Sequence, residues 1–103
     1  MLKHNDNGEA AAEFYDKRRR WAEYVCARDD VSDRAFRVGY WLSRRMNGED
    51  QCCWYSKARV AKEMGRSVRY VQYGISELRA KKLLLVIEEE GKPSTYKIRA
   101  PFF

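Results

Sequence analysis

The segment from Trp54 to Arg99 places the strongest constraint on the fold, because its helix start and stop signals follow one another closely. Ser56 is a favourable N-cap and Gly65 can adopt the left-handed conformation that ends a helix, so the sequence predicts a short helix between them. Ser67 is a second N-cap directly after this stop and predicts a helix that continues to about Lys82. Two helices joined by so tight a turn must cross over a shared core.

Apolar residues recur at helical spacing on both of these helices. The residues predicted to face inward are Val60, Ala61, Met64, Val71, Ile75 and Leu78. The opposite face of the second helix carries Arg69, Tyr70, Gln72, Tyr73 and Ser76. A helix face that needed only to be solvated would not carry so many large planar groups, so we interpret this face as a contact surface.

A β-hairpin is predicted after the second helix. Leu83–Ile87 is rich in residues that favour strands, Gly91–Ser94 has the composition of a turn, and Thr95–Arg99 alternates with a period of two. The side chains expected to face inward from this hairpin are Leu85, Ile87, Tyr96 and Ile98.

The N-terminal part of the chain is expected to begin with a disordered tail at residues 1–8 and to continue as a helix within residues 9–30. This helix has one stripe at helical spacing, formed by Ala11, Phe14, Tyr15, Arg18, Trp21, Ala22 and Val25. The stripe can pack on the domain's own core or on a partner chain, and the residues alone leave both alternatives open.

The connection between this helix and the two-helix segment contains further signals. Ser32 predicts a helix that runs to about Met46 and ends in a left-handed turn at Asn47 and Gly48. Cys52–Tyr55 is expected to form a brief strand or an extended entry into the following helix. At the other end of the chain, Pro101–Phe103 can act as a clasp on the core or as an exposed apolar end.

The positive charge of the chain is concentrated after residue 30. Residues 1–30 hold six Lys/Arg and seven Asp/Glu, a net charge of −1, whereas residues 31–103 hold fifteen Lys/Arg and eight Asp/Glu, a net charge of +7. A basic excess on the part that carries the two-helix motif indicates a polyanionic partner. The alternative is a solvated surface with a high isoelectric point.

Length and composition exclude several other classes of protein. A chain of 103 residues is expected to form one domain, and no apolar run approaches the roughly 18 residues that span a membrane. Three cysteines cannot all pair within one chain and Cys52 adjoins Cys53, which predicts reduced thiols and a cytoplasmic location. Because the cysteines lack metal-ligand spacing and the sequence shows no nucleophile–base pair or phosphate loop, we expect no metal, no cofactor and no enzymatic activity.

The segment from Val31 to Arg99 resembles the winged helix-turn-helix domains of bacterial, phage and plasmid regulators and replication proteins. The resemblance rests on the helix opening Val31–Ala35, the entry Trp54–Ser56, the two-helix motif Val60–Gln72 and the return strand Ser94–Ile98. It implies a mainly α fold with a small β-hairpin, in which residues 31–103 form the winged helix-turn-helix domain. Residues 9–30 would add an N-terminal helix available for oligomerisation.

Three features depart from the pattern of these relatives. Relatives usually have a glycine before the leucine that starts the wing, whereas this chain has Lys82, so this helix end is expected to be capped differently or to run on. Relatives commonly carry small or basic residues where this chain has Tyr70 and Tyr73, which could stack on DNA or contact a protein. Glu88–Glu90 would repel phosphate, so the wing is expected to touch DNA only at its tip, through Lys92, Ser94 and Thr95, or not at all.

The resemblance implies double-stranded DNA as the partner, with the helix from Ser67 to Lys82 in the major groove. Expected base contacts come from Arg69, Tyr70, Gln72, Tyr73 and Ser76. The strongest candidates are Arg69, which can bond guanine bidentately, and Gln72, which can do the same to adenine. Expected contacts to the DNA backbone come from Ser56, Lys57, Arg59, Arg66, Ser67, Arg79, Lys92, Ser94 and Thr95. For each basic residue the alternative is a solvated surface charge.

Three functions remain open from the sequence. The first is a sequence-specific transcriptional regulator or mobile-element accessory factor, and the second is a plasmid or phage replication or partition factor that binds repeated sites. The third is an interaction module without DNA binding, with Tyr70, Tyr73 and the acidic wing as a protein surface. Because a single module of this size buries only about 600–1,000 Å² on DNA, a homodimer or higher assembly is expected, through the N-terminal helix or Phe102 and Phe103.

Overall fold

The computed structural model describes the backbone of residues 2–103 and the side chains of residues 8–103. Its elements are α1 (Leu2–Ala27), α2 (Asp33–Ser43), β1 (Cys53–Tyr55), α3 (Lys57–Met64), α4 (Val68–Ala80), β2 (Leu84–Ile87) and β3 (Ser94–Ile98). The three strands form one antiparallel sheet in the order β1-β3-β2. This mainly α fold with a small sheet confirms the winged helix-turn-helix arrangement predicted from the sequence.

The signals predicted for α3 and α4 are present in the structure. The hydroxyl of Ser56 accepts a hydrogen bond from the Arg59 N–H, and the hydroxyl of Ser67 accepts one from the Tyr70 N–H. Gly65 ends α3 in the left-handed conformation, with φ of 67°. Each cap satisfies an N–H that has no partner inside its helix, so the positions of both helices follow from local sequence.

The end of α4 uses the same geometry without a glycine. Lys82 adopts a φ of 61°, the left-handed region in which a side chain is strained. Its N–H donates to the Arg79 carbonyl at 3.1 Å and the Leu83 N–H donates to the Leu78 carbonyl at 2.9 Å. These two bonds form a Schellman motif, so the helix is capped in the usual way with lysine in the glycine position.

The sheet contains one strand more than the predicted hairpin. The short run before α3 is a strand, as the sequence allowed, and it pairs Cys53 with Tyr96 on the central strand β3. Because β3 has a neighbour on each side, Tyr96 lies at the centre of the sheet and is fully buried.

The prediction that Leu85 and Ile87 of β2 face inward was wrong, because the inward-facing set is shifted by one residue. The structure buries Leu84 and Val86, which pair with Ile98 and Tyr96, whereas Leu85 is half-buried and Ile87 is exposed. An apolar run of five residues does not define which alternate set faces inward. A shift of one residue exchanges the two faces, and pairing with Tyr96 and Ile98 decides between them here.

Helix α1 packs on the core of its own domain. Phe14, Trp21 and Val25 from the predicted stripe are buried. The Trp21 indole Nε1 donates to the carbonyls of both Leu83 and Arg99, at 2.9 Å each. The buried part of the stripe therefore packs on the domain's own core rather than on a partner chain. The two Trp21 bonds also connect α1 to both sides of the hairpin base.

The backbone is helical from Leu2, so residues 2–8 form the first turns of α1 where the sequence predicted a disordered tail; Met1 lies outside the described residues. Asparagine and glycine in this stretch have low helix propensity, but extending an existing helix adds one hydrogen bond per residue without a new nucleation step.

The C-terminal Phe102 packs edge-on against Tyr24 of α1 and remains 39% exposed. Both alternatives predicted for this end, packing on the domain and exposure to solvent, therefore apply to Phe102 in part.

Helix α2 ends earlier than predicted. Its last residue is Ser43, and positive φ after it occurs at Gln51 rather than at Gly48. The Asn47 side chain instead accepts hydrogen bonds from two following N–H groups, which forms a turn. A Cβ at Gly48 would lie 2.6 Å from the Cβ of Ala11, so the glycine provides close approach to α1 rather than a helix stop.

Helices α2 and α4 approach each other closely through glycines. A Cβ at Gly39 would lie 2.7 Å from Leu78, and a Cβ at Gly74 would lie 2.9 Å from Val38. Val71, with Leu78 from the same stripe of α4, is fully buried. The predicted inward face of α4 is therefore confirmed, and its opposite face is left exposed.

Candidate nucleic-acid interface

The exposed face of α4 carries the side chains that the sequence assigned to base contacts. Arg69, Gln72 and Ser76 are exposed, and Tyr73 is 48% exposed. Tyr70 differs from these residues because it is half-buried and packs against the hydrophobic core. Four of the five candidates thus share one accessible face, and Tyr70 lies at its edge.

Both tyrosines on α4 are covered by arginines. The Arg34 guanidinium lies 4.7 Å from the centre of the Tyr73 ring, and the Arg66 guanidinium lies 5.2 Å from the centre of the Tyr70 ring. Cation–π pairs of this kind restrict the tyrosine rotamers and place a positive charge beside each ring. Sequence reasoning missed Arg34, since it lies on α2 and no local signal relates it to Tyr73.

The Lys and Arg side chains predicted to contact DNA differ in whether they already form an ion pair with an acidic side chain. Arg59 pairs with Glu63 at 2.7 Å, Arg79 with Glu88 at 3.6 Å and Lys92 with Glu89 at 3.5 Å. Lys57, Arg66 and Arg69 form no ion pair with any side chain that the structure describes. Among the cations assigned to DNA contacts, those without an acidic partner in the described part of the chain are therefore Lys57 and Arg66, assigned to the backbone, and Arg69, assigned to bases.

Ser56 and Ser67 lie at the two helix N-termini, where backbone N–H groups and the helix dipole favour an anion. Each hydroxyl oxygen already accepts a capping bond, but its O–H remains available as a donor. The two serines can therefore cap their helices and donate to a phosphate oxygen at the same time.

The hairpin presents less of the predicted surface than expected. Ser94 and Thr95 are half-buried and belong to the central strand β3 rather than to the tip. Lys92 lies in the turn between the strands, is exposed and pairs with Glu89. The acidic run is partly neutralised, since Glu88 pairs with Arg79. The wing thus contributes one accessible cation close to its tip.

A carboxylate on α4 fixes this helix relative to α2. Glu77 accepts hydrogen bonds from the Ser32 N–H at 2.8 Å and from the Ser32 hydroxyl at 2.7 Å. Burial alone would raise the pKa of Glu77, but these two bonds, with Lys81 and Arg34 nearby, outweigh it and hold the pKa below its ordinary value. The bonded carboxylate therefore stabilises the orientation in which α4 is presented.

Other reactive groups lie away from this face. Burial raises the pKa of the Cys53 thiol to about 12, and the thiol packs in the core. No group of three or more metal-ligating side chains occurs among the residues that the structure describes. Within the same residues, no helix is long and apolar enough to cross a bilayer.

Comparison with known proteins finds a matching family model and solved structures of similar fold. A family model described as a helix-turn-helix domain matches residues 31–84, just over half of the chain. The fold is similar to that of Bordetella bronchiseptica BpsR, a structure concerned with the regulation of DNA binding by 6-hydroxynicotinic acid, with a TM-score of 0.52 and 18% identity. The match covers 92% of this chain and 64% of that chain, and at this identity it bears on the fold alone. No curated protein matches the chain.

Proposed function

Because this chain belongs to the helix-turn-helix domain family, we propose that it is a sequence-specific double-stranded DNA-binding protein. The observation that carries the proposal is the exposed polar face of α4, which includes Arg69. Arg69, Lys57 at the start of α3 and Arg66 before α4 pair with no acidic side chain that the structure describes. In this fold class the second helix of the motif enters the major groove, where each base pair presents a distinct pattern of donors and acceptors.

Two residues on this face suit direct reading of bases. Arg69 lies in the first turn of α4, is exposed and has no acidic partner among the described side chains, so it can approach guanine bidentately. Gln72 is one turn further along the same face and suits adenine. We assign flanking contacts to Tyr73 and Ser76, with Tyr70 at the edge of the interface.

The backbone contacts fall into two groups. Lys57 and Arg66 have no acidic partner among the described side chains and can bind phosphate directly, with the hydroxyls of Ser56 and Ser67 as further donors. The second group consists of Arg59, Arg79, Lys92, Ser94 and Thr95. Its charged members must first exchange a carboxylate for a phosphate. Exposed ion pairs contribute only about 0–1 kcal/mol, so this exchange is feasible but weakens their effect on affinity.

We assign the protein to regulation in the bacterial cytoplasm, as a small transcriptional regulator or a mobile-element accessory factor. The helix-turn-helix family supports this class, and the similarity in fold to BpsR identifies no ligand for this chain. A homodimer or higher assembly on DNA would provide the specificity that one module of this size lacks. The exposed rings of Phe102 and Phe103 offer an apolar surface for it.

Selection of bound duplexes from a random DNA library tests the proposal. Enriched inverted half-sites are expected for a dimeric regulator, and tandem direct repeats would indicate replication or partition instead. Binding should weaken as salt rises, with a slope of about −0.9 per phosphate contacted. Absence of any enriched sequence, together with binding that does not respond to salt, would contradict DNA recognition and favour a protein-interaction module.

The same selection with two variants separates base reading from phosphate binding. Arg69→Ala should relax the base preference at one position, at a cost of about 1–3 kcal/mol for the preferred base. Lys57→Ala is the matched control, because it removes one unpaired cation that we assign to phosphate. It should lower the affinity for all sequences alike and reduce the salt slope by about one.

A further inference from the structure

A second basic surface extends from Arg66 over α2 and α1, largely outside the exposed face of α4. It consists of Arg18, Arg37, Tyr40, Arg44, Arg45 and Arg66, which we call the arginine face. None of its five arginines forms an ion pair with a side chain that the structure describes. The arginines that do form ion pairs are Arg19, Arg20, Arg28, Arg59 and Arg79. The arginine face is therefore a concentration of uncompensated positive charge.

Tyr40 stands at the centre of this face, between two open grooves. The groove between α1 and α2 measures about 360 Å³ and is lined by Arg18 and Arg44, with Tyr15 opposite. The groove between α2 and α3 measures about 370 Å³ and includes Trp41, Arg44 and Arg66. Because Tyr40 lines both grooves and its ring is 44% exposed, one extended ligand could follow the two grooves and cross this ring.

Acidic groups in the two grooves do not neutralise these arginines. Glu23 lines the first groove but pairs with Arg19 at 3.2 Å, and Glu63 lines the second but pairs with Arg59 at 2.7 Å. Partial burial and the nearby Arg44 lower the pKa of Arg18, which indicates that the two guanidinium groups repel each other. A bound anion would relieve this repulsion.

Aromatic rings alternate with the charges. Tyr15 and Tyr40 are exposed, whereas Phe36 and Trp41 are half-buried. The Arg18 guanidinium lies 4.8 Å from the centre of the Tyr15 ring, and the Arg45 guanidinium lies 3.5 Å from that of Trp41. Tyr40 is therefore the exposed ring of this face over which the described side chains place no cation. Cations along a groove with exposed rings between them are the pattern by which proteins hold single-stranded nucleic acid, since each unpaired base offers a face for stacking. A duplex would offer its phosphates to these arginines but no base face to Tyr40.

We propose that the arginine face binds single-stranded nucleic acid, with Tyr40 stacking on a base and the arginines neutralising the phosphodiester backbone on either side. This activity goes beyond duplex recognition by α4 and does not rest on it. The two surfaces meet at Arg66, which lines the second groove and lies in the turn before α4.

Fluorescence anisotropy with the full chain and a labelled oligothymidylate of about 16 nucleotides tests this proposal. Tyr40→Ala should weaken binding about tenfold, within the range of 1–3 kcal/mol per stacked base, whereas Tyr40→Phe should retain binding because the ring remains. Trp54→Ala is the control, since it removes an aromatic side chain that is 50% exposed on β1 and belongs to neither proposed surface. It should leave oligothymidylate binding unchanged.

Charge variants test the backbone contacts. Arg44→Ala should reduce the salt slope for the single strand by about 0.7, the contribution of one phosphate, and Arg28→Ala, an arginine already paired with Asp30, should change it little. Circular dichroism of each variant verifies that the helices remain. Oligouridylate in place of oligothymidylate tells whether the face prefers RNA or DNA.

Several outcomes would overturn the proposal. One is failure to bind oligothymidylate even at low salt, and another is an abasic strand of equal length that binds as tightly, since it has no bases to stack. Binding of an oligoglutamate peptide with the same loss in Tyr40→Ala would indicate an acidic protein segment as the partner. If duplex selection succeeds while single-strand binding fails, the proposed function stands and this inference falls.

Discussion

The helix-turn-helix unit, formed by α3, the turn and α4, is fixed by residues that lie a few positions apart: Ser56 with Arg59, and Ser67 with Tyr70. The frame, formed by α1 and the three strands, is fixed by bonds between distant parts of the chain. Trp21 alone bonds to carbonyls 62 and 78 positions away. Because the frame is held by long-range bonds, substitutions in it should lower the global stability, whereas substitutions on the exposed surface of the unit should change DNA binding.

The largest effect is expected in the frame. Trp21→Ala removes a fully buried ring and its indole N–H, so the free energy of unfolding should fall by about 3–5 kcal/mol, measured by urea denaturation. Trp21→Phe is the control, since it keeps an aromatic ring but leaves the Arg99 carbonyl without the indole donor. It should cost less than the alanine variant. A loss below about 1 kcal/mol for Trp21→Ala would contradict the role of this residue.

The next effect concerns the contact that joins α4 to α2. Glu77→Gln removes the charge that accepts two hydrogen bonds from Ser32, and should cost about 1–2 kcal/mol at neutral pH. Because the folded-state pKa of Glu77 lies below its ordinary value of 4.5, the carboxylate stabilises the fold above pH 4.5. This stabilisation is lost as the pH falls through the folded-state pKa.

Urea denaturation at several pH values measures this dependence. The stability of Glu77→Gln should fall less steeply with acid than that of the original protein. Glu90→Gln, which changes an exposed carboxylate of the wing, should leave the acid dependence unaltered. Parallel curves for Glu77→Gln and the original protein would show that the Ser32 contact contributes nothing.

A smaller effect is expected at the two helix ends where a residue has a positive φ, Gly65 after α3 and Lys82 after α4. Lys82→Gly should raise the free energy of unfolding by about 1 kcal/mol, because glycine adopts the φ of 61° without strain from a Cβ. Gly65→Ala should lower it by a similar amount, since alanine would be strained at φ of 67°. Thermal denaturation of both variants checks the pair, and destabilisation by Lys82→Gly would mean that the lysine side chain contributes more than its backbone strain costs.

The smallest effect on stability is expected on the surface of the unit. Lys57→Ala and Arg59→Ala should each change the free energy of unfolding by less than about 0.5 kcal/mol. Their effects on duplex binding should differ, because Arg59 is already held by Glu63. Titrations at several salt concentrations should give a greater loss of slope for Lys57→Ala. An equal loss for both would show that the ion pair does not restrain Arg59.

The parts that the sequence predicted correctly are those governed by short-range signals. Both serine caps and the left-handed Gly65 followed from residue chemistry within one turn of chain, as did the buried stripe of α4. The inward-facing set of β2 could not be predicted, because an apolar strand has no polar face and pairing with β3 decides it. The Lys82 cap was missed for a related reason: a lysine carries no signal for positive φ.

For the candidate interface as well, features set by short-range signals were predicted correctly and features set by tertiary contacts were not. Four of the five base contacts assigned to α4 share an exposed face because helical periodicity places them there, and Tyr70 lies half-buried at its edge. Ser94 and Thr95 were assigned to the wing tip, but the third strand makes β3 central and half-buries them. The ion pairs that engage Arg79 and Lys92, and the stacking of Arg34 on Tyr73, depend on tertiary contacts that spacing does not encode.

Amide chemical-shift mapping by NMR would locate the surface that binds duplex DNA, which we propose is the exposed face of α4. The duplex recovered by library selection would be titrated into the isotope-labelled protein. If α4 enters the major groove, the largest amide shifts should occur at residues 66–76 and at the start of α3, with small shifts on the outer face of α2. Shifts confined to α2 or the wing, with the amides of α4 unchanged, would contradict it.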